Sequence, residues 1–246
     1  MSTGTSYRES HASSAYGERY TNTYSHGYYF EQWNRLERPL LESIFKKLAD
    51  NGAKRALDFA CGTGRILLVA EEYFAYTVGV DVSEEMLKYA RSKTVRSILR
   101  EQDITNDPLD ELFDLVTAFR FFVNAEPELR DSALEAISAV LEPNGVLLAN
   151  VHINTQSPLG TYYRFRNSLP GTKPIPTLSY PDFAQLLEQH GLQIENTYRY
   201  SYLPRTGWRL SWLPAMLMEP VEQFCKSVSF MPASWAQSFL VLARKT

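Results

Sequence analysis

The stretch Ala56-Leu57-Asp58-Phe59-Ala60-Cys61-Gly62-Thr63-Gly64-Arg65 decides the fold, and it is followed by Gly79-Val80-Asp81-Val82-Ser83. Each stretch begins as a short apolar run; the first ends in a glycine-rich turn and the second in an acid. Because Gly62 and Gly64 lack a Cβ atom, the backbone can turn sharply there and approach a ligand closely. A helix that starts near Arg65 then presents free backbone N–H groups. This order of strand, glycine turn, helix, strand and acid predicts a nucleotide-binding βαβ unit.

Three positions around the turn indicate which nucleotide binds. Asp81 ends the second strand, where its carboxylate can accept hydrogen bonds from both hydroxyls of a ribose. Dinucleotide sites need a third small residue beneath the pyrophosphate, and Leu67 stands at that position here. Asp58 would repel phosphates but can hold a cationic amino group, directly or through water. An adenosine that carries an ammonium, a carboxylate and a sulfonium therefore fits better than NAD.

The first stretch resembles the first motif of the class I S-adenosylmethionine-dependent methyltransferases: a hydrophobic strand, Asp, two residues and Cys-Gly-Thr-Gly. Residues 79–87, 101–104, 113–119 and 141–148 resemble the next four motifs, in the family's order. Ala60 departs from the pattern because the family usually has glycine there, and we expect cofactor binding to tolerate it. The resemblance, to the small-molecule type, implies S-adenosylmethionine as cofactor and S-adenosylhomocysteine as product. It also implies an α/β fold, a Rossmann-like, doubly wound, seven-stranded and mostly parallel sheet whose last strand is antiparallel.

The cofactor site is predicted from these motifs and from the N-terminal segment. The resemblance implies that Asp103, in the third motif, addresses the adenine amino group. Arg35 or Arg38 is a candidate partner for the cofactor carboxylate, and Cys61 is interpreted as a small apolar side chain of the turn. The predicted cofactor-binding set is Tyr20, Arg38, Asp58, Ala60, Cys61, Gly62, Gly64, Arg65, Asp81, Val82, Met86, Gln102, Asp103, Ile104 and Phe119.

Composition limits the class of protein. The 246 residues are 44% hydrophobic, enough for one large α/β domain, and the net charge of −3 gives no reason to expect nucleic-acid binding. Two cysteines are too few for a disulfide framework or a metal cluster, which favours a reducing cytoplasm. The N-terminus has no apolar signal region and no run approaches membrane-spanning length. We expect a cytoplasmic protein without a membrane partner and without a metal; the oligomeric state stays open.

The chain is predicted to have three parts. Residues 1–14 are polar and are expected to form a disordered tail. Residues 15–50 are expected to form two helices, Ala15–Thr23 and Tyr28–Leu48, in which Tyr16, Tyr20 and Tyr24 line one face. This segment is either a lid over cofactor and substrate or an ordinary amphipathic pair packed on the core. Residues 51–246 form the methyltransferase domain, with insertions at 154–177 and 203–237.

Strands and helices alternate through that domain. The predicted strands are Arg55–Phe59, Tyr76–Val80, Ser97–Glu101, Phe113–Ala118, Gly145–Val151, Gln193–Tyr202 and Ser238–Lys245. The predicted helices are Arg65–Glu72, Glu84–Ser92, Pro127–Leu141 and Tyr180–His190.

The acceptor is expected beyond the carboxyl ends of the strands, where ligands bind in open parallel sheets. The loop after the fourth strand and the two insertions face that region, and they are rich in aromatic residues and arginine. Such a lining suits a planar, glycosyl or anionic acceptor. The predicted substrate-binding set is Tyr16, Tyr28, Arg120, Phe121, Tyr162, Arg164, Arg166 and Trp208.

The reaction is predicted to be methyl transfer to an oxygen of a small molecule, such as a sugar, a glycan precursor or another secondary metabolite. An oxygen nucleophile must lose its proton, and His152, at the end of the fifth strand, is the best-placed base; a structural hydrogen-bonding role is the alternative. Three other functions stay open: N-methylation of an amine, a non-catalytic S-adenosylmethionine-binding subunit, and an NAD-dependent dehydrogenase, which Leu67 disfavours.

Overall fold

Seven strands form one sheet that organises the fold. In this computed structural model they are β1 (Arg55–Phe59), β2 (Tyr76–Asp81), β3 (Ile98–Glu101), β4 (Phe113–Ala118), β5 (Leu141–Val151), β6 (Leu192–Tyr200) and β7 (Ser238–Lys245). Their order across the sheet is β3-β2-β1-β4-β5-β7-β6. β1 to β5 pair in parallel, whereas β7 lies antiparallel between β5 and β6. The predicted Rossmann-like fold with an antiparallel last strand is confirmed.

The structure describes residues 23–203, 212–228 and 232–246, and within these it describes no side chains for 212–215. Several predictions fall outside these ranges: the tail 1–14, the helix Ala15–Thr23 up to its last residue, and the candidate site residues Tyr16, Tyr20 and Trp208. Within the described ranges, no helix combines the length and the apolar character that crossing a membrane requires.

Helices cover both faces of the sheet. They are α1 (Gly27–Gln32), α2 (Arg38–Asp50), α3 (Arg65–Ala70), α4 (Glu84–Arg91), α5 (Pro127–Val140), α6 (Pro158–Asn167), α7 (Tyr180–Gln189) and α8 (Trp212–Ser227). Alternate residues of a strand therefore enter different cores. In β1, Leu57 belongs to one cluster of buried apolar side chains and Ala56 to another; in β4, Val116 and Leu115 divide in the same way. Because both faces of the central strands are buried, most of their residues are apolar.

The N-terminal helix predicted over Tyr28–Leu48 is interrupted by a π-helical turn. Five residues, Trp33–Glu37, take this conformation between α1 and α2. α2 then buries Leu41, Ile44 and Phe45, and the Phe45 ring packs edge-on against Phe74 at 5.3 Å between centroids. π-helical turns are rare and often occur at functional sites. This one places Trp33 and Glu37 in the interior, where both are at most 9% exposed.

The largest differences from the sequence prediction are two helices and one strand boundary; the other predicted ends within the described ranges differ by at most two residues. The insertions contain α6 and α8, which the sequence analysis did not predict. α6 begins where the Ser157 hydroxyl accepts a hydrogen bond from the Gly160 N–H at 3.0 Å, a local cap that only the side-chain geometry reveals. β5 begins at Leu141 rather than Gly145 because its pairing with β4 continues past a register shift between Phe113 and Leu115.

Candidate functional site

A cleft opens at the carboxyl ends of β1, β2 and β3. It holds about 520 Å³, counting the part open to solvent, and its walls are Phe59, Ala60, Val80, Asp81, Val82, Met86, Gln102, Asp103, Ile104, Thr105, Phe121 and Leu129. Seven of the predicted cofactor-binding residues are among these, together with Phe121, which was predicted for the substrate. Apolar side chains form most of the wall, so the cleft can enclose a flat, largely apolar ring such as adenine.

The glycine-rich turn next to the cleft has three residues in the left-handed region. The φ angles are 54° at Ala60, 54° at Gly62 and 74° at Gly64. A Cβ atom at Gly64 would lie 3.0 Å from the Ala90 Cβ, and one at Gly62 would lie 3.2 Å from the Met86 Cε. Glycine is therefore favoured at both positions, because it avoids the strain of the left-handed conformation and the close contacts. Ala60 adopts the same conformation with a methyl group, at a cost of about 1–2 kcal/mol.

Asp81 ties this turn to the end of β2. Its Oδ2 accepts a hydrogen bond from the Gly62 N–H at 2.8 Å, and its Oδ1 accepts one from the Ser83 N–H at 2.9 Å. The carboxylate thus has both oxygens fixed at the mouth of the cleft. A carboxylate has about four acceptor positions on its two oxygens, which is the chemistry that a ribose diol needs.

Leu67 is accommodated because β2 has a glycine beneath it. A Cβ atom at Gly79 would lie 2.8 Å from Leu67 Cδ2, 2.9 Å from Leu99 Cδ2 and 3.0 Å from Cys61 Sγ. The large residue that argues against a pyrophosphate site is thus matched by a missing side chain in the neighbouring strand. Cys61 is 8% exposed and packs there, as expected of a small apolar side chain.

Asp58 is buried behind the turn, at 2% exposure. Its Oδ1 accepts a hydrogen bond from the Thr117 hydroxyl at 2.6 Å, while no described residue pairs with its buried Oδ2. Burial raises the pKa of this carboxyl to about 7; the charge of Asp81 adds to the rise, and the Thr117 hydrogen bond opposes it. The group is therefore poised between its neutral and charged forms near neutral pH, with one oxygen available to a cationic donor.

Asp103 lines the cleft and also closes the turn after β3. Its Oδ1 accepts from the Thr105 N–H at 3.1 Å and from the Thr105 hydroxyl at 2.7 Å, and its Oδ2 accepts from the Asn106 amide at 2.9 Å. Gln102, beside it, donates to the Asp107 carbonyl at 2.9 Å. These bonds fix the direction of the carboxylate, and its contact with the adenine amino group stays a prediction.

A second cluster forms around Arg65, the first residue of α3. The guanidinium carbon lies 4.0 Å from the Tyr24 ring centroid and 4.3 Å from that of Trp33. One guanidinium nitrogen lies 3.3 Å from Glu37 Oε2, and the other Glu37 oxygen accepts from the Tyr200 hydroxyl at 2.8 Å. The sequence analysis missed Trp33, Glu37 and Tyr200 because they meet only through the π-helical turn and the end of β6.

Arg38 does not join this cluster. It lies on the outer surface of α2, where it pairs with Glu42 at 2.7 Å and with Glu72 at 3.4 Å, and its side chain is 41% exposed. Arg35 likewise pairs at the surface, with Glu31 at 2.6 Å. The placement of both side chains contradicts the idea that one of them reaches the cofactor carboxylate, and leaves Arg65 as the arginine beside the cofactor turn.

Tyr28 is an internal anchor rather than a pocket residue. Its hydroxyl donates to the Leu203 carbonyl at 2.9 Å and lies 3.0 Å from the Ser201 hydroxyl, which also accepts from the Gln32 amide at 3.1 Å. Burial raises the pKa of Tyr28 to about 12, and the side chain is 4% exposed. A direct role in binding the acceptor is not compatible with this placement.

The predicted contacts from the insertion 154–177 are also displaced. Tyr162 is 56% exposed on α6 and Arg164 is exposed beside it. Arg166 donates to the Lys173 carbonyl at 2.7 Å, which closes the insertion on itself. The structure therefore does not bring these three side chains to the cleft, because α6 runs along the surface.

His152 follows β5 at the same end of the sheet. Its Nδ1 is buried without a hydrogen-bond partner among the described residues. Burial lowers the pKa of the imidazole well below its usual value, and the nearby charges of Arg120 and Arg65 lower it further. The ring is thus neutral at neutral pH, and its Nδ1 can accept a proton if that nitrogen carries none.

Phe119, Arg120 and Phe121 form the loop after β4. Phe119 is 8% exposed in the core beneath α1 and α2, whereas the Phe121 ring packs edge-on against Phe59 at 4.8 Å in the wall of the cleft. The Arg120 guanidinium carbon lies 5.0 Å from the Tyr24 ring centroid. This loop therefore joins the cleft to the Arg65 cluster. Within the described ranges, no three His, Cys, Asp or Glu side chains converge as metal ligands do.

The chain is similar to known methyltransferases in sequence and in fold. Residues 56–145 match the family described as "Methyltransferase domain". The putative methyltransferase YqeM of Bacillus subtilis is 34% identical over 140 residues, which are 54% of this chain and 52% of that protein. A Streptomyces fradiae enzyme named dTDP-3-amino-3,6-dideoxy-alpha-D-glucopyranose N,N-dimethyltransferase is 32% identical over 99 residues, 39% of this chain and 38% of that enzyme. The chain spans about half the length of the first of these relatives and less of the second.

Among solved structures, magnesium protoporphyrin IX methyltransferase (ChlM) from Synechocystis PCC 6803, with bound S-adenosylhomocysteine, is similar in fold. The two share 16% sequence identity with a TM-score of 0.65, and the match covers 97% of each chain. At this identity the likeness concerns the fold alone.

Proposed function

We propose that this chain, which carries a class I S-adenosylmethionine-dependent methyltransferase domain, transfers the methyl group of S-adenosylmethionine to an oxygen of a small molecule. The observation that carries methyl transfer is the cleft at the strand ends, where Asp81 holds the glycine-rich turn. The observation that favours oxygen is the neutral His152 ring, whose buried Nδ1 has no hydrogen-bond partner among the described residues.

The residues present fit the cofactor group by group. Asp81 offers acceptors for the ribose hydroxyls, and the apolar walls formed by Val82, Met86 and Ile104 suit the adenine ring. Asp58 has a buried oxygen, without a partner in the part of the chain that the structure describes, for the ammonium, directly or through water. For the cofactor carboxylate we propose Arg65, which lies at the start of α3 beside the glycine-rich turn. We assign these four roles on shape and charge.

S-adenosylmethionine, when bound, supplies a methyl group activated by the adjacent sulfonium. The chain's part is then to align the acceptor oxygen behind that methyl group and to exclude water, which accounts for much of the catalysis in such displacements. Bound S-adenosylmethionine would supply the methyl group, and the electron pair of its carbon–sulfur bond would stay on sulfur when the carbon–oxygen bond formed. His152 Nδ1 takes the hydroxyl proton. Because its pKa is low, we expect proton transfer to accompany bond formation rather than precede it.

A nitrogen acceptor is the second candidate. The Streptomyces relative is named as an N,N-dimethyltransferase of a dTDP-amino sugar, so one similar domain carries that name. An amine that arrives neutral needs no base, so this function would leave His152 without a chemical role. A non-catalytic S-adenosylmethionine-binding subunit would keep the cleft and show no turnover with any acceptor.

Two measurements test the proposal in order. Calorimetric titration should show binding of S-adenosylhomocysteine and none of NAD; the reverse result would overturn the methyltransferase assignment. A panel of hydroxyl and amine acceptors is then screened for transfer of the labelled methyl group.

His152→Gln separates the two acceptor atoms. We expect it to lower turnover of a hydroxyl acceptor by about 100-fold or more, with unchanged S-adenosylhomocysteine affinity. His190→Gln is the matched control, because the ring of His190 bonds the Leu186 carbonyl at 2.9 Å at the end of α7. Equal turnover in His152→Gln and wild type would show that His152 is not the base, and turnover of amines alone would favour N-methylation.

A further inference from the structure

Arg120 has a backbone conformation that residues with side chains rarely adopt. Its φ angle is 60°, in the left-handed region, where an L-residue with a Cβ atom is strained. Such strain persists only where surrounding contacts impose it, and it concentrates at functional sites. A glycine would adopt this φ angle without strain. The arginine at this position therefore carries an energetic cost that a glycine would avoid.

Two asparagine side chains impose this conformation. Asn150, fully buried in β5, accepts the Arg120 backbone N–H at 2.6 Å through its Oδ1. Asn124 donates its side-chain amide to the Arg120 carbonyl at 2.7 Å. The N–H and the carbonyl of Arg120 are therefore both fixed by hydrogen bonds that do not involve the guanidinium. The backbone thus sets the direction of the side chain, whatever the guanidinium binds.

The guanidinium lies over two tyrosine rings, next to the carboxyl end of β4. Its carbon lies 5.0 Å from the Tyr24 centroid and 5.3 Å from the Tyr29 centroid. An arginine stacked on rings keeps its planar edge of N–H groups directed sideways, the geometry that recognises carboxylate and phosphate oxygens with two hydrogen bonds.

The surroundings favour negative charge. Arg120 and Arg65 both act on His152, and both disfavour its cationic form. Glu37 lies 3.3 Å from Arg65 and offsets part of its positive charge. The Arg120 guanidinium adds positive potential at His152, which the acceptor must reach. An anionic acceptor would be stabilised by this field more strongly than a neutral one.

We propose that Arg120 is the specificity-determining residue of the acceptor site and that it binds an anionic oxygen group, a carboxylate or a phosphate, on the acceptor molecule. The inference rests on the proposed function, because it places the acceptor beside the cofactor cleft. It goes further in naming the charge that the acceptor carries and the residue that selects it.

The test uses the full-length protein saturated with S-adenosylhomocysteine and three matched pairs of probes. These are 4-hydroxybenzoate with 4-hydroxybenzamide, salicylate with salicylamide, and glucose 6-phosphate with glucose. Binding is measured by calorimetry. In wild type, at least one anion should bind about tenfold or more tightly than its neutral partner. The carboxylate and phosphate pairs distinguish the two sources of charge.

Variants then assign the preference to Arg120. Arg120→Gln should reduce it below about twofold, whereas Arg120→Lys, which keeps the charge and loses the fork, should retain part of it. Asn124→Ala keeps the charge and releases one side of the backbone, so it should also weaken the preference. Arg91→Gln is the control, because Arg91 is an exposed residue of α4 paired with Glu84.

Three results would overturn the inference. One is a wild type that prefers no anion in any pair; another is a preference that survives in Arg120→Gln. The third, for use if Arg120→Gln does not fold, is a preference unchanged in both Arg120→Lys and Asn124→Ala. A wild type that fails to bind S-adenosylhomocysteine contradicts the proposed function itself, so the two failures are distinguishable.

Discussion

Replacing Asp58 by asparagine tests whether its burial carries an electrostatic penalty. The carboxyl is 2% exposed, and its pKa is raised from 3.8 to about 7, chiefly by burial. A group whose pKa is higher in the folded than in the unfolded state stabilises most below its unfolded pKa, and this contribution is lost as the pH rises through the folded pKa. Asp58 therefore weakens the fold progressively between about pH 4 and pH 7. The amide of the Asp58→Asn variant would carry no charge at any of these pH values.

The size of the effect follows from the shift. One pKa unit corresponds to about 1.4 kcal/mol, so ionising Asp58 reduces the free energy of unfolding by about 4 kcal/mol at pH 8. At pH 5 only the unfolded state is ionised and the reduction is about 2 kcal/mol. Asp58→Asn keeps an oxygen for the Thr117 hydroxyl but buries an amide donor, at a cost of about 1–3 kcal/mol that does not vary with pH. The gain in stability from the substitution should therefore be about 2 kcal/mol larger at pH 8 than at pH 5.

Urea denaturation of both proteins at the two pH values measures this difference. Other titrating groups affect the variant and the wild type alike, so they cancel. The exposed Asp110→Asn serves as control and should show a difference near zero. A stability gain of Asp58→Asn that is the same at pH 5 and pH 8 would refute the reasoning, because it would mean that the buried carboxyl has an ordinary pKa.

The remaining predictions concern the turn, the Arg65 cluster and the packing under α3. Asp81→Asn replaces one of two accepting oxygens by an amide that cannot accept an N–H, so calorimetry should show S-adenosylhomocysteine binding about 10–100-fold more weakly; an affinity within twofold of wild type contradicts this. Glu37→Gln removes the buried countercharge and should lower the free energy of unfolding in urea by about 3 kcal/mol. The control Glu42→Gln, whose side chain is 33% exposed in a surface pair with Arg38, should lower it by at most about 1 kcal/mol; equal losses would show that the buried pair adds nothing. Gly79→Ala should lower the free energy of unfolding by about 1–3 kcal/mol, because its new methyl group meets Leu67 Cδ2. The double variant with Leu67→Ala should lose less than the sum of the two single losses; strict additivity in urea denaturation would mean that the new methyl group does not press on Leu67.

The strands were predictable because burial on both faces leaves a strong signal. β1, β4 and β7 have the predicted bounds, since apolar residues make up most of each strand and nearly all of its residues are buried. The glycine-rich turn after β1 and the position of Asp81 at the end of β2 were predictable for a related reason. Two glycines after one strand and an acid at the end of the next are typical of nucleotide-binding βαβ units. These features depend on residues close together in the sequence.

The Arg65 cluster was not predictable in the same way. Glu37 reaches Arg65 because a π-helical turn rotates the residues around it relative to a regular helix, and no pattern in the sequence marks that turn. Arg38, one residue later, was preferred as a cofactor ligand and points to the surface instead. Tyr200 joins through a contact between residues 163 positions apart. Pairings of this kind are set by tertiary packing and not by local pattern.

The position of β7 has a consequence for the order of folding. β6 pairs with β7, and β7 alone joins β6 to β5 in the sheet. The strand at residues 192–200 therefore has no hydrogen-bonded neighbour among the described strands until residues 238–245 are in place. Closing that pairing also brings together segments about 100 residues apart, such as Val146 and Arg244. Such long-range steps are slow, so the half of the sheet that binds the cofactor can assemble first and the β5-β7-β6 half should be the last to become protected from hydrogen exchange.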